Sequence, residues 1–142
     1  MIDDRSRVPV EPEYVAAVGL ATYAFARLEW DAIWCFEKID PQAMVRLSGE
    51  TAGTIARQFV AEVKKMVASP DQRLLLAAAE DFRKLVQTRN GIMHGKPATD
   101  TDGGQRLFRD GVAWTVESLN AAADEFTECS IRLNDLLYGF LK

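Results

Sequence analysis

Residues 69–97 read SPDQRLLLAAAEDFRKLVQTRNGIMHGKP, and Leu75, Ala78, Phe82, Leu85 and Ile92 recur there in helical steps, with Arg89 filling the gap between the last two. Steps of three and four match one face of an α-helix and not the alternation of a strand, so a long amphipathic helix is predicted here. Asp71 is the expected N-cap, following the Ser69-Pro70 break. Gly95 and Pro97 are expected to end the helix, the glycine in a left-handed conformation and the proline because it cannot continue the helix.

The same test applies outward from this segment. From Pro12 to about Ile39 a first helix is predicted with Val15, Val18, Thr22, Phe25, Ala32, Phe36 and Ile39 inward and Glu29 on the same stripe. Pro12 suits its first turn, and Asp40-Pro41 suits its stop. A second helix capped by Ser48 or Thr51 runs to about Ala68, with Ile55, Phe59, Val60, Val63 and Val67 inward. Beyond Pro97, ATDTDGGQ is a polar loop, and RLFRDGVAWT places two β-prone runs around Asp110-Gly111, a strong signal for a two-residue hairpin turn. Thr115 then caps a last helix with Leu119, Ala122, Phe126, Cys129, Leu133, Leu136 and Phe140 as its stripe. The expected fold is all-α: one domain over residues 1–142, a four-helix up-and-down bundle with a loop and two-stranded β-hairpin at 98–114 and a flexible segment at 1–11.

Composition fits a soluble protein, with 48% apolar and 27% charged residues and no apolar run near the roughly 20 residues that span a membrane. The N-terminal stretch lacks the apolar segment of a signal peptide, which predicts a cytoplasmic location. Two cysteines, Cys35 and Cys129, cannot supply a structural zinc site and are read as reduced core thiols. The DTDGG run lacks the further ligands of a calcium loop, and no metal or cofactor is expected. The net charge of −4 is unevenly spread: residues 57–96 carry eight basic and four acidic side chains inside an acidic chain. An anion-attracting patch around residues 87–97 is one reading of that excess, and ordinary helix-surface charge is the other.

Two charges fall where the core should be. Glu29 and Arg89 each lie on the apolar stripe of their own helix, and an unpaired buried charge is very costly, so they are expected to meet each other or to meet across a subunit interface. That pairing requires the first and third helices to lie side by side. His94, the sole histidine, sits in the last turn, where the carbonyl ends favour a protonated ring by about 0.3–1 kcal/mol. Asn90 lies four residues earlier on the same face. Gly91 costs about 1 kcal/mol of helix propensity relative to alanine, so a close approach by a backbone or ligand is expected there. Arg, Asn and His around a small residue suit phosphate handling. The alternative is a buried polar network that fixes helix packing.

Arg89-Asn90-Gly91-Ile92-Met93-His94 resembles the Arg-x4–6-His motif of the HEPN superfamily of small helical domains, in which a polar residue, often Asn, follows the Arg. FARLE at 25–29 looks like a first-helix segment of such proteins, and the placing of the motif near the end of the third main helix is similar. The resemblance implies a dimeric, metal-independent endoribonuclease with two motifs facing one RNA-cleaving cleft, and a place in a toxin–antitoxin or phage-defence pair with an antitoxin or regulatory partner protein. It implies catalytic roles for Arg89, Asn90 and His94, His94 as acid or base and Arg89 on the phosphate. Gly91 and Gly95 would support the motif, Lys96 would bind substrate, and Glu29 as an orienting partner of Arg89 rests on the stripe pattern alone. Many HEPN domains are inactive RNA-binding, nucleotide-binding or assembly modules, which is the alternative the resemblance carries. Phe108 and Trp114 are candidates for stacking bases or for anchoring the hairpin. Trp30, Ile33 and Trp34, outside the main stripe, imply that a second face of the first helix is covered.

Overall fold

Apolar periodicity builds most of the chain into helices: α1 (Pro12–Ile39), α2 (Ala43–Leu47), α3 (Ala52–Lys64), α4 (Pro70–Met93) and α5 (Val116–Tyr138). Between α4 and α5 lies a small antiparallel sheet of β1 (Lys96–Thr99), β2 (Gln105–Arg109) and β3 (Val112–Ala113). The structure is a computed structural model that describes residues 3–142, so Met1 and Ile2 of the expected flexible segment lie outside the described residues. Residues 3–11 form no helix or strand, and Val10 packs against the core.

α1 packs chiefly along α5, α3 along α4, and α4 along α5. Phe36, Phe59, Phe82 and Phe126 are the largest fully buried side chains, with Leu28, Leu75, Leu119 and Leu133 between them. The stripes of α4 and α5 are largely those the sequence predicts, whereas α1 is rotated. Its buried face runs through Tyr14, Ala17, Ala21, Ala24, Phe25, Leu28, Ala32, Cys35 and Phe36, leaving Val15 and Thr22 exposed. The alanines on that face let α5 approach closely, so small residues as well as bulky ones mark the buried side. Both cysteines are free and buried, and burial pushes the Cys35 thiol up to about 12 and the Cys129 thiol up to about 11.

Several boundaries differ from expectation. Ser69, not Asp71, caps α4: its side chain accepts from the Gln72 N–H, and Pro70 takes the first helical position, where no backbone donor is needed. α3 ends at Lys64 rather than near Ala68, which leaves Val67 exposed. The buried Gln72 carboxamide donates to the Val63 carbonyl at 3.0 Å, tying the α3 end to the α4 start. Thr51 caps α3 by accepting from the Thr54 N–H, and Ser48 instead follows the short α2, a helix too brief to show a period. Leu137 rather than Leu136 is buried at the end of α5, and Phe140 lies beyond that helix, partly exposed.

The sheet has three strands where two were expected. Asp110 and Gly111 form the β2–β3 turn with φ of 52° and 77°, the primed geometry that an Asp-Gly pair favours. The added strand, β1, pairs Lys96 with Phe108 and Thr99 with Gln105. Pro97 is tolerated because β1 lies at the sheet edge. Thr115 and Ser118 form a reciprocal capping box at the start of α5. Thr115→Ala is expected to lower unfolding stability by about 1 kcal/mol, read as a shift of the urea midpoint at constant slope.

Candidate functional site

The end of α4 is held by the sheet. Tyr14 of α1 donates its hydroxyl to the Trp114 carbonyl at 2.8 Å and accepts from the Leu107 N–H at 2.9 Å. The Trp114 indole N–H donates to the Gly91 carbonyl at 3.0 Å. A Cβ on residue 91 would lie 3.1 Å from the Trp114 ring, so the mid-helix glycine answers to the approach of an indole rather than of a backbone or ligand. Trp114 is thereby an anchor of the sheet.

Gly95 also has a steric reason. A Cβ there would meet the Leu107 Cβ at 2.9 Å and the Ile92 carbonyl at 3.0 Å. The left-handed conformation expected of Gly95 does not occur; the glycines with positive φ among the described residues are Gly49, Gly103 and Gly111. The chain leaves α4 directly into β1, with His94 as the C-cap at φ −98°, and that path needs close packing at residue 95 instead of a reversal.

Arg89 and Glu29 line the same cavity between α1 and α4, about 120 Å³ in volume, floored by Phe25, Ile92 and Phe126. The two helices therefore lie side by side as the pairing idea required, but no salt bridge forms between the charges. The Arg89 guanidinium sits 5.5 Å from the centre of the Phe25 ring and donates to the Asn90 carboxamide oxygen at 3.1 Å. Those contacts hold a half-buried cation without a carboxylate, because the ring face and amide oxygen each supply partial negative charge. Burial pushes the Glu29 carboxyl above its ordinary value, and the Arg89 charge draws part of that shift back.

A raised carboxyl means that the folded protein holds a proton that the unfolded chain has already released. Stability from this group is complete below the unfolded value and falls as pH rises through the folded one. Glu29→Gln removes that loss. The melting temperature of the Gln variant minus that of wild type is therefore expected to grow as pH rises from about 4 towards neutrality, and a difference independent of pH would contradict the assignment.

His94 is exposed at the C-terminal end of α4 and lines a second, open groove with Lys96, Phe108 and Arg109. Its backbone N–H donates to the Asn90 carbonyl at 2.9 Å, and among the described residues its ring makes no hydrogen bond. Arg89 and Asn90 are thus brought together, while Arg89 and His94 face different depressions of one chain. Lys96 is exposed and gives an anion a place beside the imidazole, while Arg109 lies 3.8 Å from the carboxylate of Asp110, which also lines the groove. In the DTDGG turn, Asp100 and Asp102 accept from the Thr101 and Gly104 backbones. Among the described residues no group of three or more His, Cys, Asp or Glu is placed to hold a metal ion, and no helix is long and apolar enough to cross a membrane.

Sequence reasoning missed Tyr14 and Arg106. The Arg106 guanidinium lies 4.8 Å from the Tyr14 ring centre and 3.4 Å from a Glu11 carboxylate oxygen, clamping β2 to the start of α1. A tyrosine among alanines on the buried face of α1 was the available signal. Comparisons with family models, curated proteins and solved structures return no match.

Proposed function

We propose that the chain is a HEPN-like four-helix up-and-down bundle that acts, as a symmetric homodimer, as a metal-independent endoribonuclease. The observation that carries the proposal is the exposure of His94 at the end of α4, beside Lys96 and Arg109 and with no hydrogen bond from its ring among the described residues. A buried polar network would enclose that imidazole, so its exposure weighs against a purely structural cluster.

Cleavage by the ribose 2′-hydroxyl forms a bond from that oxygen to phosphorus and breaks the bond from phosphorus to the 5′-oxygen. A base takes the 2′ proton and an acid protonates the leaving oxygen, while cations stabilise charge on the phosphoryl oxygens. One chain holds one histidine. Two copies facing each other supply two, one for each proton transfer, which gives dimerisation a chemical purpose. Arg89, without a salt bridge among the described residues and held by Phe25 and Asn90, is the cation of the cleft. Thr22 and Met93 are exposed at the Arg89 cavity and offer the second copy a surface. In a toxin–antitoxin or phage-defence setting, an antitoxin or regulatory protein would restrain such an activity by covering the cleft.

The test is incubation of a pool of structured and single-stranded RNAs with the purified protein in EDTA. Wild type is expected to leave 2′,3′-cyclic phosphate and 5′-hydroxyl ends, and Arg89→Ala to leave the pool intact. An undamaged pool with wild type would overturn the proposal.

A further inference from the structure

A second surface, on the other side of α1 from the Arg89 cavity, has the chemistry of a nucleotide site. Trp30 and Trp34 lie one helical turn apart, both exposed, with ring centres 5.9 Å apart and planes at 85°. In such an edge-to-face pair, the indole that offers its edge keeps both of its own faces uncovered by its partner. Tyr138 at the end of α5 is 70% exposed on the opposite wall of the same groove. Single exposed aromatics need no explanation, but three around one depression of about 470 Å³ form an uncovered aromatic surface of ligand size.

The charges around these rings select the ligand. Arg27, Lys38 and Lys142 line the groove, and among the described residues none of them forms a salt bridge. The one side-chain carboxylate of the lining, Asp31, is buried and accepts a hydrogen bond from the Ser130 hydroxyl. Cationic ligands are disfavoured by three positive charges against one engaged carboxylate, and a purely apolar ligand leaves those charges unused. An aromatic group carrying a phosphate uses both the ring faces and the cations.

We infer that the groove between the C-terminal halves of α1 and α5 binds a nucleotide, its base stacked on Trp30 or Trp34 and its phosphate held by Arg27, Lys38 and Lys142. Base stacking on aromatic side chains is tolerant of sequence, so the groove would grip a strand without choosing a cleavage position. The inference deepens the ribonuclease proposal by supplying a strand-holding surface away from His94, but binding here does not require catalysis.

The experiment is titration of the catalytically disabled His94→Ala protein with a short oligouridylate and, separately, with uridine monophosphate, following tryptophan fluorescence in EDTA. Saturable quenching is expected, weakening at least tenfold between about 50 and 200 mM salt as phosphate contacts are screened. Trp34→Ala and the surface variant Lys38→Glu, each checked for an unchanged helical spectrum, are expected to weaken binding at least tenfold. Binding of both probes identifies a nucleotide pocket, and binding of the oligonucleotide alone identifies a strand-holding groove; either supports the inference. Quenching that survives in both variants overturns it. So does absence of quenching accompanied by a dimer that dissociates in Trp30→Ala, which would make the surface a self-association face. Failure of RNA cleavage with retained quenching removes the nuclease proposal and leaves this one standing.

Discussion

His94→Ala is expected to lower RNA cleavage at least about 100-fold while leaving the melting temperature nearly unchanged, since a positioned acid or base contributes typically 10²–10⁴ to a rate. The imidazole is exposed and makes no hydrogen bond among the described residues, so its removal leaves no buried group unsatisfied. The backbone N–H that caps α4 on the Asn90 carbonyl is kept by alanine. The separation of activity from stability is what distinguishes chemistry from packing here. Arg89→Ala is a less clean probe, because it also strips the cation from Phe25 and the donor from Asn90. Equal cleavage by wild type and His94→Ala would remove the imidazole from the reaction and with it the role of the motif.

The site was legible in the sequence as positions more than as contacts. The stripe of α4 placed Arg89 towards α1, and Glu29 and Arg89 do share a cavity. Whether two charges at one level join depends on side-chain rotamers and competing partners; Phe25 and Asn90 took the guanidinium, and no periodicity encodes that. Gly91 announced a close approach but not its source, because Trp114 is 23 residues away and reaches α4 only once the sheet has folded. β1 was invisible for a related reason. Lys96-Pro97-Ala98-Thr99 has neither β-branched alternation nor an uninterrupted set of donors, and it is a strand through its backbone pairing with β2. The reversed case is Asp110-Gly111, whose geometry is local, and the turn formed where the dipeptide stands.

The same dependence on distant contacts gives the largest expected stability effect. Phe126 of α5 is fully buried, its ring centre 5.2 Å from that of Phe25 in an edge-to-face contact, and Phe25 in turn stacks at 6.1 Å on Phe82 of α4. This aromatic cluster joins α1, α4 and α5, and its Phe25 and Phe126 floor the Arg89 cavity. Phe126→Ala removes the α5 ring from it, and the surrounding helices can close only part of the void. A loss of about 3–5 kcal/mol is expected, a large share of the roughly 5–15 kcal/mol that keeps a domain folded. Urea unfolding should show a lower midpoint with little change in slope, as for a change in stability rather than in the size of the transition. Phe126→Leu keeps most of the volume and is expected to cost much less. Arg89 links this core change to the site: with the floor beneath Phe25 gone, the guanidinium loses its fixed seat, so RNA cleavage by the folded fraction of Phe126→Ala should fall as well. A loss below about 1 kcal/mol would show that the three helices do not depend on this cluster, and would remove the reason for treating the Arg89 seat as preorganised.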